Sequence, residues 1–375
     1  MVPRKQTPYF HKFVELGAEL ADRIGFDAAV VFTSTEEEHL ATRNAVGVYD
    51  VYSQGPIDVK GPDAARLLSK VAARDVERRM TEDGRVLYTS FCNESGGMID
   101  DLTVYRLDAE HFWVIATPSR AAIVQAWLEQ QAADMSAYIT NVIPGTAYLS
   151  IQGPRSRELL SSLTDTDLST EALSYFRCTR AEVAEVPMVI SRTGYSGELG
   201  YELYYPRDYA EAIWDAVIEA GLPLGAVPAG LGALRSVRIE KRYPLYGLDL
   251  DETTSPFEAG LGWAVDLDDR GDFFGADALR RQRDEGITRS LVGLVFEDLE
   301  PLPKPGDTVF LGGEEAGTVT SADRGYALGR SLALAYVHPE AASAGAAAEV
   351  KGETMWAGTV TLEPFYDPKG ERLRA

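Results

Sequence analysis

A chain of 375 residues, 45% hydrophobic and 25% charged, has the balance of a globular protein and is long enough for two or three cores. Its net charge of −22 repels phosphate backbones and anionic lipid, which argues against nucleic-acid and membrane partners. No run approaches about 18 apolar residues and the first eight residues lack the apolar stretch of a signal peptide, so a cytoplasmic protein is expected.

In chain order, Phe13, Leu16, Leu20 and Ile24 fall at near-helical spacing and predict an amphipathic helix from His11 to Ile24. Ser34 before Thr35-Glu36-Glu37-Glu38 has the chemistry of a helix N-terminus. Strands are expected over Val46 to Tyr52 and Ile57 to Val59, then a short helix from Pro62 to Val71. Arg85 to Phe91 and Met98 to Arg106 flank a short polar stretch and predict a hairpin; a strand from His111 to Ala116 and a helix from Ser119 to Gln130 follow. The pattern resumes with a strand over Ala147 to Gln152, a helix from Arg155 to Leu163 and strands within Glu182 to Thr193. Tyr209 to Ala220 and Pro228 to Arg242 carry helical spacing. Beyond Tyr243-Pro244 come short strand candidates punctuated by glycine and proline: Gly306 to Leu311, Glu315 to Ser321, Ser331 to Val337 and Trp356 to Leu362. Such spacing predicts a β-barrel or sandwich.

The stretch Asn93-Glu94-Ser95-Gly96-Gly97-Met98-Ile99-Asp100-Asp101 reads as a glycine turn feeding a strand that begins with paired carboxylates. Side chains alternate on a strand, so Asp101, Thr103 and Tyr105 line one face while Asp100, Leu102, Val104 and Arg106 line the other. A carboxylate and a phenol on one face can grip a polar heterocycle; the plainer alternative is a turn-end aspartate bonded to its own backbone. In Ser191-Arg192-Thr193-Gly194-Tyr195-Ser196-Gly197-Glu198-Leu199-Gly200-Tyr201-Glu202, three close glycines permit tight backbone approach. Glu202 and Tyr204 share a strand face, with Tyr201, Leu203 and Tyr205 opposite. Glu202 suits either the N–H edge of an aminopyrimidine or an edge-strand surface.

Arg235, Arg238 and Arg242 make a basic stripe that can hold a ligand carboxylate or pair with structural acids. Cys92 and Cys178 form no metal-ligand spacing, and His11, His39, His111 and His338 are scattered, so no metal site is expected. The acidic run Asp266 to Asp272 places Arg270 where a calcium loop needs an oxygen ligand. No Gly-x-Gly-x-x-Gly strand-turn-helix for a flavin or nicotinamide cofactor appears near the start.

Taken in order, these segments resemble the aminomethyltransferase family, the glycine cleavage T-protein and its tetrahydrofolate-dependent relatives. The likeness runs from Thr7-Pro8 and Leu16-Gly17-Ala18 through Asn44-Ala45-Val46-Gly47-Val48-Tyr49-Asp50 and Val59-Lys60-Gly61-Pro62. It continues in Cys92 to Asp101, Gln152-Gly153-Pro154, Ser191 to Glu198, Tyr246-Gly247 and Pro256-Phe257-Glu258-Ala259-Gly260-Leu261. Gly317-Thr318-Val319-Thr320-Ser321 and Leu328-Gly329-Arg330-Ser331 complete it near the C-terminus.

The resemblance implies an α+β, three-domain architecture around a central tetrahydrofolate funnel. Residues 1–57 and 144–248 would form a discontinuous first domain, 58–143 an α+β second domain with the catalytic acid, and 249–375 a C-terminal β-barrel. It implies Asp101 as the catalytic residue and Tyr88, Tyr105, Tyr195, Glu202 and Arg235 as folate-binding residues. The expected activity is transfer of a methylene or methyl group from a small amine-type donor to tetrahydrofolate. The alternatives are O- or S-demethylation giving 5-methyl-tetrahydrofolate, and folate binding without catalysis. A lipoyl carrier protein or a separate oxidase or dehydrogenase is the partner such a reaction would need.

Four departures stand out. Gly25-Phe26-Asp27-Ala28-Ala29 replaces the family's Gly-Trp-x-x-Pro, Leu234 holds the place of the arginine after Gly-Leu-Gly-Ala with Arg235 next, and an asparagine common after the Tyr105 hairpin is replaced near Ala116. The segment Ile239-Glu240-Lys241 is more similar to the folate domains of sarcosine and dimethylglycine dehydrogenases. The non-catalytic relatives that assist iron–sulfur assembly carry Lys-Gly-Cys-Tyr where this chain reads Glu240-Lys241-Arg242-Tyr243-Pro244.

Overall fold

The computed structural model describes residues 4–52, 54–268, 270–300 and 302–375. Two open sheets, a closed barrel and one small sheet organise the described residues. The six-stranded sheet runs, in spatial order, Cys178–Val183, Val186–Ser191, Gly200–Pro206, Thr146–Gln152, Val46–Tyr49 and Ala226–Pro228. Only the last pair is parallel. One face of this sheet buries Leu149, Ile151, Tyr201, Leu203 and Tyr205 against Ile213, Trp214 and Val217 of the helix Ala210–Gly221. Each such side chain contributes roughly 1.5–3 kcal/mol when fully buried.

The five-stranded sheet runs Val86–Cys92, Met98–Asp108, His111–Ile115, Pro56–Lys60 and Tyr138–Asn141. Leu102 and Val104 of its long strand, with Ile57, Val59, Phe112 and Val114, pack on the helices Ala64–Val71 and Ala121–Gln131. The opposite faces of the two sheets meet through Val86, Tyr105 and Ile115 on one side and Tyr148, Val189 and Tyr204 on the other. That shared aromatic layer brings residues 88–105 close to residues 191–204.

The barrel closes in the order Ser290–Val295, Arg330–Val337, Glu314–Gly325, Thr308–Leu311, Ala347–Lys351, Met355–Thr361. It is tied to the helix Leu231–Glu240 by Ile239 against Leu291, Leu332 and Tyr336. Polar links reinforce that contact. Arg43 donates to Glu240 at 2.8 Å and to Glu198 at 2.9 Å, all three buried, and Lys241 donates to the Asp367 carbonyl at 2.6 Å.

The N-terminal prediction needs correction. The helix covers only Phe10–Glu15, and the chain then forms the strand Glu19–Arg23, paired with Phe26–Val31. Gly17 adopts φ +70°, and the Ala18 amide closes back on the Phe13 carbonyl at 2.9 Å, a six-residue C-terminal capping loop. The apolar spacing of Leu20 and Ile24 continues a helical period that the glycine has already ended. Ser34 does cap its helix, its hydroxyl accepting from the Glu37 amide at 3.1 Å.

Candidate functional site

The hairpin between Val86–Cys92 and Met98–Asp108 is closed by Asn93, whose Oδ1 accepts from the amides of Ser95 and Gly97, both at 3.0 Å. The turn's polar side chain is therefore the asparagine, which leaves both aspartates free for other partners. Gly96 supplies the positive φ, +83°. Gly97 does not share that role: a Cβ there would sit 1.8 Å from the Glu252 carbonyl oxygen, so its glycine serves close backbone approach. Residues 246–254 seal this contact. Met98 donates to the Thr254 carbonyl at 2.9 Å, and Tyr246 donates to the Met98 carbonyl at 2.9 Å.

The pleat then separates the two acids. Asp100 is fully buried on the core side, where Oδ2 accepts from the Thr117 amide at 2.8 Å and Oδ1 finds no partner among the described residues. Burial, then the neighbouring Asp101 charge, pushes its pKa well up and favours the neutral acid. Asp101 is only part-buried, with Thr103 two residues on. Its Oδ2 accepts from the Tyr88 hydroxyl at 2.9 Å, and no other side-chain donor among the described residues reaches it. Burial pushes Asp101 up to about 6, against the opposing pull of the Tyr88 hydrogen bond.

Along the same face, about 13 Å further by the strand rise of four residues, Tyr105 meets Glu202 from the other sheet. Glu202 accepts from Tyr148 at 2.6 Å, from Tyr105 at 3.3 Å and from Thr193. Tyr204 stands edge-on to both Tyr105 and Trp113, and tilted against Tyr148. The second acid thus sits in a nest of rotatable hydroxyls, each able to turn aside for an incoming N–H.

Tyr195 closes the side nearest Asp101. Its hydroxyl donates to the Pro244 carbonyl and its ring stacks on Tyr243 at 5.6 Å. A cavity of about 810 Å³ opens beside Tyr88, lined among others by Tyr175, Phe176 and Trp263. Trp263 stacks on Tyr88 at 5.4 Å while 61% of its surface stays exposed.

Of the residues singled out from the sequence, the fold brings Asp101, Tyr88 and Tyr195 to one end of this region and Tyr105 and Glu202 to the other. Arg235 stands apart. It is exposed and makes no side-chain hydrogen bond or ion pair among the described residues. The rest of the basic stripe is structural: Arg238 pairs with Asp249 at 2.8 Å, and Arg242 donates to the Leu291 carbonyl at 3.0 Å. Leu234, in the place of the family's arginine, packs on Tyr49, Ala229 and Ala233.

Sequence alone does not mark Tyr148, Thr193, Tyr243 or Trp263. The alternation of Thr146–Gln152 puts Tyr148 and Ser150 on one face, and knowing that Ser150 pairs with Glu202 would have found Tyr148. Among the described residues no cluster of His, Cys, Asp and Glu could hold a metal ion. Asp266 is taken by Arg79 at 2.5 Å, which helps bring its pKa down to about 2, and Asp269 of the same acidic run lies outside the described residues. Cys92 and Cys178 are buried thiols, each pushed up to about 12 by burial.

The donor set fits tetrahydrofolate: two carboxylates with unused acceptor capacity, spaced along one face, beside a cavity walled by aromatic rings. Comparison with known proteins agrees. Residues 9–269 match the GCVT N-terminal domain family, and residues 289–367 match the glycine cleavage T-protein C-terminal barrel domain. The chain is 39% identical over 98% of its length to an aminomethyltransferase of Moorella thermoacetica, covering 99% of that protein. It is 35% identical to the aminomethyltransferase of Bacillus pumilus, covering 96% of this chain and 98% of that one. The crystal structure of glycine cleavage system aminomethyltransferase T from Bartonella henselae matches with a TM-score of 0.88 and 26% identity, over 97% of this chain and 98% of that one. The chain belongs to the glycine cleavage T-protein family, enzymes that use tetrahydrofolate for one-carbon transfer.

Proposed function

We propose that this protein moves a one-carbon unit from an aminomethyl or N-methyl donor to tetrahydrofolate, with Asp101 as the catalytic residue. The observation that carries the reading is the Asp101 carboxylate, held at 2.9 Å by Tyr88, whose ring borders a cavity, and set on the strand face opposite the core that swallows Asp100. Tetrahydrofolate, when bound, supplies the nucleophilic amine. Asp101 orients that amine through a hydrogen bond and offsets positive charge developing on nitrogen. Tyr88 fixes the carboxylate's rotamer and keeps one oxygen occupied, so that the other is left for the ligand. Glu202 accepts from the aminopyrimidine edge, and Tyr105, Tyr148 and Thr193 hold it in place. Tyr195 borders the reacting end. Holding both reactants in line contributes several kcal/mol of the barrier reduction, comparable to the acid itself.

The donor fits two forms of delivery: a free small amine, or an aminomethyl group on the lipoyl arm of a carrier protein. Incubating the protein with tetrahydrofolate and each donor, and weighing the folate product, tests the reading. Methylene-tetrahydrofolate formed from an aminomethyl donor with release of its amine, or from an N-methyl donor only when a separate oxidase or dehydrogenase first removes two electrons from it, supports it. A 5-methyl product from O- or S-methyl donors alone would replace it with demethylation, and tight binding without turnover would leave a binding protein.

A further inference from the structure

The strand that carries Asp101 does not begin regularly. Phe91 pairs with Asp100 and Cys92 with Met98, so Ile99 is an extra residue, a β-bulge two positions before Asp101. By strict alternation Ile99 would stand on the Asp101 face. It is instead buried with Leu102 and Val104 in the helix-packed core, the side that Asp100 also faces. Met98 falls on the other side, clustered with Cys92 and Leu250 and packed by Tyr88. The bulge therefore replaces Ile99 by Met98 as the neighbour of Asp101, and it bends the strand where the acid is aimed.

A bulge leaves ladder groups without strand partners. Here side chains from outside the sheet take them. The Ile99 carbonyl accepts from Arg120 Nε at 2.8 Å, and the Met98 carbonyl accepts from the Tyr246 hydroxyl at 2.9 Å. The two donors brace each other: the Arg120 guanidinium lies 4.8 Å from the centre of the Tyr246 ring and pairs with Glu252. Arg120 is tied to the strand from a second direction as well. The Thr117 carbonyl accepts from the Arg120 amide at 2.7 Å, and the Thr117 amide donates to Asp100 at 2.8 Å. Neither Arg120 nor Tyr246 lines the cavity beside Tyr88. We propose that Tyr246 and Arg120 are positioning residues for the reaction, holding the bulge that aims the Asp101 carboxylate without themselves touching substrate. The inference rests on the reading of Asp101 as the catalytic residue. A displacement of about 1 Å at a reacting group costs as much as about 10²-fold in rate, so a loosened bulge is felt there first.

Tyr246→Phe removes the hydroxyl and keeps the ring beside Arg120, so it tests the grip rather than the packing; melting temperatures check that each variant folds. In the ligand-free protein, amide hydrogen exchange over residues 97–101 is expected to quicken by about 10-fold, with residues 102–108 unchanged. With tetrahydrofolate and an aminomethyl donor, kcat is expected to fall by about 10-fold while the calorimetric folate Kd stays within about 3-fold. On the Asp101→Asn background the same substitution is expected to change the residual rate by less than about 2-fold, because the group it positions is gone. Arg120→Met should repeat these losses, and Arg120→Lys, which keeps an N–H donor for the Ile99 carbonyl, should recover most of the rate. Parental exchange and parental kcat in Tyr246→Phe overturn the inference. So does an equal fractional loss on the Asp101→Asn background, or an Arg120→Lys rate as low as that of Arg120→Met. Failure of the parent to bind tetrahydrofolate would overturn the functional reading instead, a result separable from exchange at the bulge.

Discussion

Asp100 and Asp101 are adjacent in sequence, yet the pleat of one strand gives them opposite surroundings. Asp100 faces the helix-packed core, fully buried, with one oxygen on the Thr117 amide and the other without a partner among the described residues. Asp101 faces the space between two sheets, part-open, with a phenol holding one oxygen. Burial raises both; Asp101 reaches about 6, where the ionised form is accessible at neutral pH, and the Asp101 charge pushes Asp100 up further. Identical chemistry thus meets a packed core on one face and a part-open space, where the proposed reaction would take place, on the other, and the difference is set by the strand's pleat. The sharpest way to break the comparison is to neutralise each acid in turn. Asp101→Asn should lower kcat by about 10²-fold or more, whereas Asp100→Asn, on the core face away from the proposed site, should stay within about 3-fold. Steady-state kinetics with tetrahydrofolate and an amine donor measure both, and equal losses would dissolve the distinction.

Stability should move the other way. Asp101 ionises near 6 in the folded protein and near 3.9 when unfolded, so at neutral pH its folded charge carries a penalty that the unfolded chain lacks. Below both values the acid is protonated in both states and the penalty disappears. Asp101→Asn is therefore expected to raise the unfolding free energy by about 1–3 kcal/mol at pH 7.5, with the gain fading as pH falls through 6 toward 4. Urea titrations at those pH values check it. A pH-independent gain, or a loss, would mean that the carboxylate is structurally anchored rather than held against its preference.

Much of this site was legible in sequence because strand alternation is local. The faces of Met98–Asp108 and Gly200–Pro206 follow from the two-residue period, and the observed cores bury Leu102 and Val104, or Tyr201 and Leu203, on the sides that period assigns. What stayed hidden depends on pairing between distant segments. Tyr148 reaches Glu202 only because Thr146–Gln152 lies beside Gly200–Pro206. The arginines that line the cavity beside Tyr88 come from residues 74–85 and 177, with Trp263 beyond, and no local pattern links them. Arg235 was drawn by a helical stripe, yet on that helix the inward positions are held by Arg238 and Glu240, which leaves Arg235 in solvent. Two barrel strands also escaped notice. Ser290–Val295 is an uninterrupted apolar run without alternation, and Ala347–Lys351 begins in an alanine-rich stretch of weak strand preference.

The same acid offers a finer test through its pH profile. If the carboxylate is the working form, kcat/KM should rise with a single ionisation near 6 and then level. The Tyr88 hydroxyl favours that charged form, so Tyr88→Phe should move the acidic limb upward by about 0.5–1 pH unit. At pH 7.5 most of the carboxylate would still be ionised, so the rate loss there should be only a few-fold, far less than for Asp101→Asn. Phenylalanine keeps the ring that Trp263 stacks on at 5.4 Å, which separates loss of the hydroxyl from loss of the wall. An unmoved limb with a large fall in kcat would show that Tyr88 acts by positioning Asp101 rather than by setting its charge. A limb that moves while the plateau holds would assign Tyr88 to tuning the acid, the role its 2.9 Å hydrogen bond supports.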